Sequence, residues 1–129
     1  MALKEFSFKG KSVEELKNLD LREFAKFITA RKRRSLLRQI EKIEKFLKKN
    51  EKKLSKNKPV RTHERELIIV PKMIGWQIDV YNGKEFTPIK ITEEMLSHRL
   101  GEFALTRKKV EHSAPGIGAT RSSSFLSVK

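Results

Sequence analysis

Bond-making chemistry needs nucleophiles, paired acids or clustered ligands, and this sequence brings none of them together. His63, His98 and His112 lie far apart, without the spacing of a metal site. His98 reads as a packed or surface imidazole rather than a catalytic one. Glu93-Glu94 has the look of acids at a helix start, not of an acid/base pair. Gly116-Ile117-Gly118 resembles the opening of a dinucleotide loop, but it follows no strand, begins no βαβ unit and lacks the third glycine. There is no cysteine, hence no thiolate, disulfide or cysteine-based zinc finger. The expectation is a protein with no enzymatic activity, small-molecule substrate, metal or cofactor.

The chemistry on offer is cationic. The 129 residues carry a net charge of +14, distributed unevenly. Residues 31–61 hold fourteen basic and three acidic groups, whereas residues 62–106 hold five and seven. Residues 1–30 are nearly balanced at +1, and residues 107–129 stand at +4. A quiet middle flanked by basic arms suits a polyanion, which it attracts by releasing counterions without reading sequence. Arg31-Lys32-Arg33-Arg34 is the densest run, and arginine forks match phosphate oxygens. An anionic membrane would instead call for a bulky apolar face with aromatic anchors. The longest apolar run, Leu67-Ile68-Ile69-Val70, is too short to span a bilayer, and the N-terminus lacks a signal-peptide core. A soluble, intracellular protein is expected.

Ser12-Val13-Glu14-Glu15 has capping-box spacing and predicts a short helix. Asp20 opens a second, with Leu21, Phe24, Ala25 and Ile28 on one face. Leu36, Ile40, Ile43 and Leu47 make the stripe of one amphipathic helix, whose other face carries Arg38, Lys42, Lys45, Lys48 and Lys49. Asn57-Lys58-Pro59 ends it. A first strand is expected over 66–70, stopped by Pro71. Trp76, Ile78 and Val80 alternate with Gln77, Asp79 and Tyr81 as a second, half-buried strand. Asn82-Gly83 predicts a two-residue type I′ hairpin, with Phe86, Ile89 and Ile91 on the return strand and Pro88 marking an edge or bulge. Thr92-Glu93-Glu94 caps a helix with Met95, Leu96, Leu100 and Phe103 on its apolar side. From Arg107 the pattern dissolves into glycine, serine and lysine, the composition of a tail that orders only on a partner.

The fold class is therefore α+β: a small three-stranded antiparallel sheet with helices on one side, a basic helical N-terminal extension (1–60), a core (61–106) and a disordered basic C-terminal tail (107–129). On charge alone, a sequence-neutral DNA-compaction protein is the alternative, but no recognition-helix or dimer pattern accompanies it. A nucleic-acid-processing enzyme would require metal-dependent turnover.

Particular residues carry a resemblance. Arg61-Thr62 with Arg65, Ile69, Pro71, Met73 and Gly75 form one block; Val80, Asn82-Gly83-Lys84 and Ile91 form a second. Leu96-Ser97, Leu100-Gly101-Glu102-Phe103 and Thr106 make a third, and Pro115 to Thr120 with Ser122-Ser123 a fourth. Together they resemble the universal small-subunit ribosomal protein family numbered nineteen, in its archaeal and eukaryotic branch, whose eukaryotic counterpart is numbered fifteen. Arg61 stands where lysine is usual, Ser97 where glycine often appears, and Trp76 is bulkier than most residues at that strand start.

The resemblance implies a cytoplasmic, structural constituent of the small-subunit head, bound to small-subunit ribosomal RNA and supporting translation. It implies a neighbouring ribosomal protein, numbered thirteen, and a tail directed toward the tRNA and decoding side. The candidate RNA-facing residues are Arg31, Lys32, Arg33, Arg34 and Arg38 in the arm; Arg61, Thr62, Arg65, Lys72, Lys84, His98 and Arg99 in the core; and Arg107, Lys108, Lys109, His112 and Arg121 in the tail.

Overall fold

The computed structural model describes residues 4–111 and 121–122. His112 and most of the tail, including Pro115 to Thr120, lie outside the described residues, and so does the expectation of tail disorder.

Four helices come first: α1 (Val13–Asn18), α2 (Leu21–Ala25), α3 (Ala30–Arg38) and α4 (Ile40–Ser55). The capping box of α1 forms in both directions, with the Glu15 amide donating to Ser12 Oγ at 3.4 Å and the Ser12 amide to Glu15 Oε2 at 3.3 Å. The stripe from Leu36 to Leu47 is divided between two helices. Gln39 leaves helical geometry at φ −105° and ψ 9°, ending α3 and beginning α4. Leu36, Ile43 and Leu47 still reach the core, so the break redirects the helix while keeping its apolar side inward.

The sheet has three strands in the order β1 (Val60–Thr62), β2 (Gln77–Tyr81), β3 (Phe86–Lys90). It is mixed rather than wholly antiparallel: β2 and β3 form the hairpin, but β1 runs parallel to β2, with Val60 opposite Ile78 and Thr62 opposite Val80. The chain between β1 and β2 crosses over through Leu67–Val70 and the 3₁₀ turn Pro71–Met73 before β2 enters beside β1 as the central strand. Parallel neighbours need such a crossover.

The segment expected as a first strand, 66–70, is extended but joins no strand of the sheet. It pairs with 97–101 instead. The Ile69 amide donates to the His98 carbonyl, Ser97 to Ile69, Leu100 to Leu67 and Gly101 to Arg65. This pairing also removes the helix expected after Thr92. Two 3₁₀ turns, Glu93–Met95 and Leu100–Phe103, flank Ser97, which stands at φ +66°. Leu96 and Leu100 are buried from these turns rather than from one helix face. The hairpin differs too: Tyr81 opposes Phe86 across a four-residue connection, and Asn82 Oδ1 accepts from the amides of Lys84 and Glu85. The asparagine side chain thus holds the turn, and Gly83 alone takes a positive φ there. Pro88 sits on the edge strand β3, as its missing N–H requires.

One apolar cluster joins Leu16, Phe24, Leu36 and Ile43 of the helices to Leu67–Val70, Ile78, Val80 and Leu100. The expected α+β class holds. Val60, Ile78, Val80 and Ile89 point into the cluster; Arg61, Gln77, Asp79, Tyr81, Phe86 and Lys90 alternate with them toward the sheet's open face. Phe86 therefore lies on the opposite face from Ile89, not beside it.

Candidate nucleic-acid interface

Helix α3 breaks a local rule. Its first turn holds no acid and its N-terminus carries Arg31, Lys32 and Arg33, where the helix dipole favours anions. Such a placement weakens the isolated helix and turns that end into an attractor for negative charge. At helical spacing, Arg31, Arg34 and Arg38 fall on one face. With Ala30 and Ser35 they line an open cleft of about 500 Å³ that has no carboxylate in its lining.

A hydrogen bond ties the lining of this cleft to a distant part of the chain. Ser35 Oγ donates to the Arg31 carbonyl at 3.2 Å and accepts from Arg99 Nη2 at 3.0 Å. Arg99, 64 positions later in the chain, is thereby held against α3. His98 beside it bonds through Nδ1 to Glu102 Oε2 at 2.7 Å and meets the Phe103 ring edge-on. Burial works against ionisation of Glu102. The bonds from His98 and from the Arg99 amide, with the charges of His98 and Lys32, outweigh it and hold the carboxyl below its usual range. Arg31, Lys32, Arg34, Arg38, His98 and Arg99 are thus gathered around one helix.

Three other candidates, Arg33, Arg65 and Thr62, are occupied within the fold. Arg33 donates through Nε to the Ala25 carbonyl at 2.9 Å and through Nη2 to those of Ile28 and Lys26, tying α3 to the end of α2. Arg65 donates from Nη1 to the Tyr81 carbonyl at 2.7 Å, and from Nη2 to Gly101 at 2.8 Å and Ala104 at 2.5 Å. It clamps β2 to the C-terminal turn. Thr62 is 6% exposed, its hydroxyl accepting from the Glu64 amide. Lys72 is exposed on its 3₁₀ turn, Lys84 at the hairpin tip, and Arg107, Lys108 and Lys109 beyond the last turn. Arg121 is exposed.

Lys42 fastens α4 to the loop after β1, reaching Glu64 at 2.6 Å and Glu66 at 2.5 Å. The hydrogen bonds that Lys42 donates to Glu64 and then Glu66 raise the lysine pKa, and the bond from Lys42 lowers that of Glu66. Sequence reasoning missed one group: the rings of His63, Tyr81 and Phe86 on the sheet's open face. The period-two alternation already places Tyr81 outward. Phe86 could be placed only once the register was known.

Among the described residues, no group of three or more His, Cys, Asp or Glu could hold a metal ion, and no helix is long and apolar enough to cross a membrane. The family model described as Ribosomal protein S19 matches residues 22–112. The chain belongs to that family. It is 48% identical over 126 residues to small ribosomal subunit protein uS19 of Picrophilus torridus, a match covering 98% of this chain and 82% of the relative. To the protein of the same name from Saccharolobus solfataricus it is 45% identical over 130 residues, covering 98% and 93%. Both relatives agree with the archaeal style of the sequence. Members of the ribosomal protein S19 family are structural components, and the chain is not an enzyme.

Proposed function

We propose that this protein is a structural constituent of the small ribosomal subunit, working in the cytoplasm, and that it binds small-subunit ribosomal RNA through the α3 face. The observation that carries this is the cleft of Arg31, Arg34 and Arg38, with no acid in its lining and with Arg99 bonded to its Ser35. Each guanidinium offers forked donors to phosphate oxygens, and folded ribosomal RNA presents closely spaced phosphates and 2′-hydroxyls that are recognised largely by shape. Lys32 and His98 border the same surface, Arg61, Lys72 and Lys84 supply further contacts, and Arg33 and Arg65 act mainly by fixing the protein surfaces. The family likeness supports the finer reading: a position in the subunit head beside the ribosomal protein numbered thirteen, with the basic tail, including Lys108, Lys109, His112 and Arg121, extending toward tRNA.

Competition between small-subunit ribosomal RNA and duplex DNA at matched salt tests the RNA assignment. A clear preference for the ribosomal RNA is expected. Equal affinity for DNA would favour the compaction alternative.

A further inference from the structure

The open face of the sheet carries three aromatic rings that the core does not use. Register places Tyr81 opposite Phe86, and His63 follows directly after the Thr62–Val80 pair. The ring centroids of His63 and Tyr81 are 4.6 Å apart, those of His63 and Phe86 5.2 Å, and those of Tyr81 and Phe86 5.1 Å. The Arg61 guanidinium stands 5.3 Å over the Phe86 ring, with its Nε 3.5 Å from Asp79. His63 is exposed, and the other two rings are half-buried.

We propose that this face takes one unpaired nucleobase of the bound RNA, stacked on the His63, Tyr81 and Phe86 cluster beside Arg61. The inference rests on the RNA reading above and adds a second kind of contact to it. Rings on a solvent-facing sheet are a known physical solution for holding splayed bases, because every base has a π-face and gains from stacking without needing a particular sequence. Here the cluster forms without contributing to the apolar core, so its remaining area stays available for a ligand. A base is favoured over a protein side chain by the surroundings. On this face the strands bear no leucine, isoleucine or valine, their one acid there, Asp79, is paired with Arg61, and Lys90 stands exposed at the end of β3, with Lys84 exposed beside Glu85 in the turn before it.

The test uses the full chain and an archaeal small-subunit ribosomal RNA transcript. The double variant Tyr81→Leu/Phe86→Leu, which keeps apolar bulk, should bind about 5- to 100-fold more weakly. Its salt dependence should match that of the wild type, since stacking releases no counterions. Tyr81→Phe should bind normally. Ultraviolet crosslinking of the wild-type complex, read by mass spectrometry, should place adducts on His63, Tyr81 or Phe86, and it needs no variant to fold. Unchanged affinity of a folded double variant, or adducts confined to other segments, would overturn the stacking site while leaving phosphate binding by α3 intact. A loss that appears only when other ribosomal proteins are present would assign the rings to a protein contact and also overturn it. Absence of any binding by the wild-type chain would remove both readings together.

Discussion

Arg65 and the arginines of α3 are one residue type in two opposite situations. Arg65 donates to three backbone carbonyls, on Tyr81, Gly101 and Ala104. Arg31, Arg34 and Arg38 line an open cleft at a helix start that is poor in acids. The first arrangement stabilises the fold and presents little to a ligand. The second does little for the fold, because like charges crowd a helix end where the dipole opposes them. Charge count alone therefore overstates the interface. Arg33 shows this within a single helix, since it sits among the cleft-lining arginines yet points back to the carbonyls of Ala25 and Ile28.

The contrast can be broken most sharply at Arg65. Arg65→Ala strands three carbonyls, two of them on the C-terminal turn, and should cost about 3 kcal/mol or more in chemical denaturation. Gly101→Ala attacks the same clamp from the other side, because a Cβ there would stand 3.0 Å from both the Arg65 Cβ and its carbonyl oxygen. A loss of about 1–3 kcal/mol is expected. If either variant melted like the wild type, Arg65 would not be the clamp described.

Replacing Arg31, Arg34 and Arg38 together with alanine should do the converse. Thermal stability should change little, while the slope of log K against log salt for ribosomal RNA should fall by roughly 2–3. An unchanged slope would detach the cleft from phosphate.

Ser97→Gly offers a smaller effect of opposite sign. The left-handed backbone at φ +66° is strained for serine, so glycine should raise stability by up to about 1 kcal/mol, measured by melting. The carboxylates give the smallest effect. Glu66 and Glu102 have folded pKa values below their unfolded ones. Their contribution is present above the ordinary carboxylate range and is lost as pH falls through the lowered values. Lys42 acts at the other end, its contribution lost as pH rises through its raised value. Glu66→Gln should flatten the acid limb of a stability–pH curve and leave RNA binding alone.

Much of this was legible in the sequence because the signals were local. The Ser12–Glu15 box, the alternation through β2 and the basic block at 31–34 each depend on neighbours a few positions away. What was not legible depends on distant partners. Leu67–Val70 is apolar without a period, so nothing in it distinguishes a sheet strand from a doubly buried segment. The spacing of Met95, Leu96, Leu100 and Phe103 is helical, yet pairing of 97–101 with 65–69 overrides it. The parallel entry of β1 follows from the crossover, and the inward use of Arg33 and Arg65 follows from carbonyls that only the fold brings near. In the interface, the arm was readable as charge, whereas the approach of Arg99 to Ser35 and the ring cluster required the register.

The most direct test is where the untagged native protein travels in a sucrose gradient of cell extract. It is expected to sediment with small ribosomal subunits and to be released by high salt. An abundant protein that stayed at the top of the gradient as free monomer at low salt would contradict that expectation.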